Sequence, residues 1–203
     1  MIVGLTAVLV FLGASLAAGV APAQAVTGDG RYALGDSVML GAKSALKGLG
    51  FGTVDATESR QAYSGPSELR QRGASLPRNV VIHLGTNGTF PLSVCTSMVK
   101  VAGPDRRVFL VTVHVPRSWE AGNNKVIRQC AAAFPAGRVR VIDWDWAASR
   151  HSGWLYSDRI HLRPEGAQAF ARIIDTAIDE AIRTDRLQEV QNASGTASAR
   201  VSP

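Results

Sequence analysis

Asn79 to Leu84 reads Asn-Val-Val-Ile-His-Leu, apolar at successive rather than alternate positions. A run of that kind is a strand covered on both faces, and such strands sit in parallel sheets with helices packed above and below. The rest of the chain repeats the theme. Tyr32 to Leu34, Gly52 to Ala56, Arg107 to Val115 and Val139 to Asp143 read as further short strands. Between them, Val38 to Leu49, Pro66 to Arg72, Val94 to Val101 and Asn123 to Phe134 read as helices. Pro164 opens the clearest helix: Ala167, Phe170, Ala171, Ile174, Ala177, Ile178 and Ala181 recur at helical spacing. Pro at its first position and Glu165 in its first turn suit an amino terminus. Alternating strands and helices predict an α/β fold in three layers, a five-stranded parallel sheet flanked by helices. Chemistry in such sheets gathers at the carboxyl ends of strands, where Ser37, Asn87 and the segment after Asp143 should fall.

The amino terminus reads as a separate segment. The first charged side chain is Asp29, and residues 2–21 hold only apolar, Gly, Ser and Thr side chains. That is long enough to span a bilayer. Ala21-Pro-Ala-Gln-Ala25 follows and fits a small-x-small cleavage site, although no Lys or Arg precedes the run. Residues 1–25 are therefore expected to be a signal peptide or membrane anchor, or else the last span of a larger membrane protein. Residues 26–190 form the expected α/β domain. The Ser-, Ala- and Gly-rich stretch 191–203 is expected to be disordered.

The net charge of +6 favours anionic surroundings. The basic residues are scattered singly, so no nucleic-acid partner is expected. Two cysteines cannot build an all-cysteine zinc site, and no His pair has ligand spacing, so no metal is expected. Export would provide an oxidising compartment, and Cys95 and Cys130 each fall in a helix after a sequential strand. A disulfide between them is expected, against the alternative of two buried thiols.

Gly48-x-Gly50-x-Gly52 follows a helix and precedes a strand, the reverse of a dinucleotide-binding turn. No Walker A loop and no Gly-x-Ser-x-Gly elbow is present. What remains is a Ser at a strand-to-helix turn (Ser37), an Asn in Gly85-Thr-Asn-Gly88, and Asp158-Arg-Ile-His161 before the last helix. Together they supply a nucleophile, an amide donor and an acid–base pair. Asp and His three apart can meet locally, so Asp158 can hold the imidazole tautomer while His161 takes the Ser37 proton. Singly, each has a plainer reading: Ser37 as a helix cap, Asn87 as a turn former tolerant of left-handed backbone, Asp158 and His161 as capping residues.

The set resembles the SGNH (GDSL-type) hydrolases. Gly35-Asp-Ser37 matches their first block, Gly85-Thr-Asn87 the third and Asp158-x-x-His161 the last. More closely, it resembles the extracytoplasmic catalytic domain of bacterial peptidoglycan O-acetyltransferases. That likeness is carried by Gly35 to Met39, Ser59-Arg-Gln61, Leu84 to Gly88, Val115-Pro-Arg117, Val141 to Trp144 and Asp158 to Leu162. It implies the flavodoxin-like SGNH fold and a serine esterase or O-acyltransferase acting on small O-acyl groups of a cell-envelope glycan, with no cofactor. It also implies an upstream membrane acyltransferase as a possible partner; from the apolar run at 2–21, contact with the membrane is expected only through the N-terminal segment. The oxyanion hole is assigned to the amides of Ser37 and Ser59 and the Asn87 side chain. Relatives often carry Gly at the Ser59 place, and Gly65 is the alternative donor. Arg60, Trp119 and Trp154 are candidate substrate-binding residues, beside the plainer readings of a loop-fixing ion pair and ordinary packing. His83 is expected to be a core residue rather than a base. The competing class is a non-catalytic wall-binding module on the same fold.

Overall fold

A computed structural model describes residues 29–199. The expected leader or anchor at 1–25 lies outside the described residues, as do residues 200–203. Among the described residues no helix is long and apolar enough to cross a membrane.

Five strands, β1 (Arg31–Gly35), β2 (Phe51–Ala56), β3 (Asn79–His83), β4 (Arg107–Val111) and β5 (Val139–Ile142), pair in parallel in the order β2-β1-β3-β4-β5. Side chains alternate across the sheet. Ala33, Val81 and Phe109 face a core shared with α1 (Ser37–Gly41), α2 (Lys43–Gly48), α6 (Trp144–Ser149) and α7 (Pro164–Ala199). Leu34, Ile82 and Leu110 face the opposite core, under α3 (Gly65–Arg72), α4 (Leu92–Ala102) and α5 (Glu120–Ala132). Both faces are thus dry, as the unbroken apolar run of β3 requires. A Cys95–Cys130 disulfide ties α4 to α5, with their Cα atoms 6.1 Å apart.

Three elements depart from the sequence reading. The helix expected over 38–49 is broken at Ala42 into α1 and α2. The strand expected to reach Val115 leaves the ladder after Val111. The third departure is at the end of the chain. The expected disordered tail is helical through Ala199, because α7 continues past Gln191 without a break. Extending a formed helix adds one hydrogen bond per residue fixed, and no proline intervenes between Pro164 and Pro203. Arg31 of β1 anchors the earlier part of α7 through Asp175 and through Asp179 at 2.6 Å.

The sheet order reverses direction between β1 and β3, so the connections leaving their carboxyl ends run to helices on opposite faces and leave a crevice between them. Ser37 follows β1 and Asn87 follows β3, so both stand at that crevice.

Candidate active site

The turn after β1 fixes Ser37. Asp36 is fully buried, and its Oδ1 accepts from the Val38 N–H at 3.1 Å, capping α1. The same Oδ1 lies 3.3 Å from Nδ1 of the equally buried His83. Burial pushes the Asp36 carboxyl up, but the His83 imidazole and the Val38 N–H outweigh it and hold the group below the usual carboxylate range. His83 is thus a core residue, as expected from its strand position.

The opposite side of the crevice is a tight turn before α7. Leu155 bridges Leu162, the Tyr156 N–H donates to the His161 carbonyl at 2.9 Å, and Arg159 turns the chain at φ 58°. Asp158 Oδ1 accepts from the N–H groups of Ile160 and His161 at 2.9 and 3.0 Å. Its other oxygen, Oδ2, lies 2.7 Å from His161 Nδ1. Partial burial raises the Asp158 carboxyl, while the His161 hydrogen bond and the two backbone N–H groups more than reverse this and leave it below the ordinary value. Asp158 is therefore an anion that accepts the Nδ1 proton, and in the neutral imidazole Nε2 is then the acceptor. Nε2 lies 3.1 Å from Ser37 Oγ, across 124 residues of sequence. The structure thus brings Ser37, His161 and Asp158 into one relay.

Two hollows meet at this relay. One of about 580 Å³ is walled by Leu40, Gly41 and Glu58; one of about 300 Å³ by Gln61, Thr86, Val115, Arg117, Trp119 and Ile160. Ser37, Ser59, Asn87 and His161 line both. Ser59 holds a left-handed backbone at φ 57°, a conformation that strains an L residue. Gly65 lines neither hollow. It is buried in the first turn of α3, where a Cβ would collide with Met98. Gly85 and Gly88 bracket the β3 turn at φ 112° and 137°, conformations that favour glycine. Asn87 between them is not left-handed, so its residue type is not explained by turn geometry. Its Nδ2 rests 3.4 Å from the Arg60 carbonyl, a long contact that a better acceptor could replace.

Among the candidate substrate contacts, Trp119 walls the smaller hollow, its indole N–H donating to the Thr86 carbonyl at 3.3 Å. Arg60 and Trp154 do not reach the site. Arg60 turns inward, donating to the Gly35 and Asp55 carbonyls at 3.1 and 2.6 Å and pairing with the Asp55 carboxylate at 2.8 Å. It ties the Ser59 loop to the end of β1. Trp154 is stacked between Trp144 and His151, with ring centroids 5.9 and 3.9 Å away, and its carbonyl abuts Gly166 of α7. Flat faces on both sides leave its ring to packing.

The sequence reading missed two residues that shape the crevice. Asn123 on α5 is buried; its Oδ1 accepts from the Phe90 N–H, and its Nδ2 donates to the Gly85 and Gly88 carbonyls, all at 2.8 Å. It stands in for a strand partner and fixes the Asn87 turn. Asn124 does the same for the extension of β4, gripping the Val113 N–H and carbonyl at 2.8 and 2.9 Å. The only available signal was two adjacent amides on a helix face otherwise built to be buried.

One group among the described residues, His114, Glu120 and Asp145, has donor atoms close enough to hold a cation, within 4.8 Å of one another. Each is already engaged. His114 Nδ1 lies 2.8 Å from Asp145 Oδ1, Glu120 accepts from the Val115 N–H, and Asp145 accepts from Asn124 at 3.2 Å. The cluster braces the loop that carries Arg117 and Trp119.

A serine, an imidazole and a carboxylate in series, on an order β2-β1-β3-β4-β5 parallel sheet, define the SGNH-hydrolase fold, and solved structures agree. The catalytic domain of a peptidoglycan O-acetyltransferase from Streptococcus pneumoniae superposes with a TM-score of 0.64 at 24% identity, covering 78% of this chain and 94% of that one. A family 3 carbohydrate esterase of Clostridium thermocellum superposes at 0.60 with 13% identity, covering 76% and 98%. No protein-family model matches the chain. Its homologues are peptidoglycan O-acetyltransferases. It is 32% identical to YrhL of Bacillus subtilis over 149 residues, 72% of this chain and 23% of that protein. It is 30% identical to OatA of Listeria monocytogenes over 155 residues, 73% and 24% respectively. The chain thus spans about a quarter of the length of these relatives.

Proposed function

We propose that this chain is an extracytoplasmic enzyme that moves O-acetyl groups on peptidoglycan through an acetyl-Ser37 intermediate. His161 Nε2 takes the Ser37 proton as Oγ attacks the acetyl carbonyl carbon. The carbonyl oxygen becomes an oxyanion, held by the N–H groups of Ser37 and Ser59 and the Asn87 amide. The intermediate collapses, the alcohol leaves with the proton from His161, and acetyl-Ser37 remains. A sugar hydroxyl or water then attacks the acetyl carbon, giving its proton to His161; as this second intermediate collapses to the acetylated sugar or acetate, His161 returns that proton to the departing Ser37 Oγ. Asp158 orients the imidazole and stabilises its charged form. A membrane acyltransferase that delivers acetyl groups to the outer face is the partner this role calls for. The Cys95–Cys130 disulfide supports export to an oxidising compartment.

The observation that carries the reading is the relay of 3.1 and 2.7 Å from Ser37 through His161 to Asp158, open to two hollows. The test is incubation of the full chain with 4-nitrophenyl acetate, followed by rapid quenching and peptide mapping. Release of nitrophenol with one acetyl group on the Ser37 peptide is expected. Adding soluble peptidoglycan fragments as acceptors separates transfer from hydrolysis. No release and no acetylated Ser37 would return the chain to the wall-binding alternative.

A further inference from the structure

A cavity of about 670 Å³ lies far from Ser37. It opens at the amino ends of β3, β4 and β5, under the later turns of α7. Arg78, Arg106, Arg107, Arg138 and Arg140 line it, against the carboxylates of Asp105, Asp185 and Glu189. Arg107 and Arg140 share Asp185, at 2.6 and 3.6 Å. Arg78, Arg106 and Arg138 form no ion pair among the described residues.

Two of these guanidinium groups are nevertheless fixed. Arg106 donates to the Leu76 and Ala102 carbonyls at 2.9 and 2.8 Å. Arg138 Nη2 donates to the Val99 and Gly103 carbonyls at 3.1 and 2.9 Å, with its guanidinium 5.1 Å from the Phe134 ring centre. Neutral carbonyls hold the side chains in place without cancelling their charge. The Nε atoms of Arg78 and Arg138 are buried with no hydrogen-bond partner. A guanidinium has five N–H donors, so each of the three keeps donors to spare. Arg106 and Arg138 are thus oriented cations with little side-chain entropy left to lose, and the five arginines of the lining outnumber its three carboxylates.

We propose that this cleft binds a phosphodiester chain, holding the protein on an anionic polymer by the end of the sheet opposite the catalytic crevice. The three arginines come from separate segments, those before β3, β4 and β5, so their donors converge from different directions. A tetrahedral phosphate offers oxygens in several directions, whereas a planar carboxylate is satisfied by one fork. The cavity exceeds what a single phosphate fills, which suits a length of polymer. No aromatic side chain lines it, so bases would find no stacking surface. The proposal is independent of the acetyl-transfer reading.

The test is calorimetric titration of the full chain with poly(glycerol phosphate) at about 0.15 M salt. Parallel arms use a single-stranded oligonucleotide and polyglutamate of similar charge. The phosphodiester polymer is expected to bind best, and Arg78→Gln to weaken it by about tenfold, the cost of losing hydrogen bonds to a charged group. Nitrophenyl acetate turnover should be unchanged in that variant. Arg183→Gln removes the same charge from an exposed part of α7 outside the cavity and should leave affinity intact. No binding, equal losses in the two variants, or equal or tighter binding of either other polymer would overturn the proposal.

Discussion

Asp36 and His83 form a fully buried pair, Oδ1 to Nδ1 at 3.3 Å, directly beneath the nucleophile turn. Asp36 also caps α1, so one carboxylate sets both the start of the Ser37 helix and the polarity of the core below it. Its pKa is held below the ordinary 3.8 because the imidazole and the cap outweigh burial. A carboxyl with a depressed folded pKa stabilises the fold above its unfolded value and loses that contribution as pH falls through the folded one. Asp36→Asn is therefore expected to lower unfolding free energy by about 3 kcal/mol at neutral pH. The deficit should shrink below about pH 4. Urea denaturation of both proteins at pH 7 and pH 3 measures it; an equal deficit at both would remove the charge from the account.

Ser37→Ala and His161→Ala should each abolish nearly all turnover of 4-nitrophenyl acetate while leaving the circular dichroism spectrum unchanged. Both side chains are at the solvent-facing crevice rather than in either core, so folding does not depend on them. Members of such a relay act as a unit, and the double variant should be no worse than either single one. Wild-type rates in a folded Ser37→Ala protein would end the nucleophile assignment.

The disulfide closes a loop of 35 residues between α4 and α5. On the loop-entropy argument this contributes about 4 kcal/mol. Cys95→Ser with Cys130→Ser should lose most of that, and reductant should destabilise the wild type but not the double variant. Two alkylatable thiols in the unreduced full chain, read by intact mass, would contradict the bond.

Most of the fold was legible because its signals are local. The β3 run needs no partner to announce burial on both faces, and Pro164 with Glu165 marks a helix start within two residues. Helix α6 was not legible: Trp144–Ser149 is too short for a period to show, and its cap, Asp143 accepting from the Trp146 N–H, sits at the end of a strand. The relay was legible because Asp158 and His161 meet within one turn. Asn123 was not, since its partners Gly85 and Phe90 lie 38 and 33 residues away and only tertiary packing reveals them. Arg60 and Trp154 kept two readings, substrate contact and packing, for the same reason. Ser59 and Gln61 beside Arg60 line the crevice, but Asp55 draws its guanidinium inward, and Trp144 and His151 hold the Trp154 ring.

Asn87→Gly and Asn87→Ala should both reduce kcat by about 100- to 1,000-fold with little change in KM, because the lost donor acts on charge that develops in the transition state. Asn87 is not in a left-handed conformation, so glycine gives no conformational relief that could mask the loss. Near-normal kcat in Asn87→Gly would remove its side chain from the oxyanion hole.

Ser59→Gly should make the protein more stable without making it slower. At φ 57° the Ser59 Cβ crowds its own backbone, a cost of about 1–2 kcal/mol for an L residue. Glycine removes that cost but adds about 0.5–1 kcal/mol of unfolded-chain entropy. The net gain of roughly 0.5–1 kcal/mol should raise Tm by about 1–4 °C for a domain of this size. The backbone N–H that we assign to the oxyanion hole is the same in both proteins, so kcat should not change. Ser59→Ala isolates the hydroxyl: it keeps the strained backbone and the N–H, and should match the wild type in both Tm and kcat. A fall in kcat common to the glycine and alanine variants would show that the Ser59 hydroxyl, rather than its N–H, is what the reaction uses.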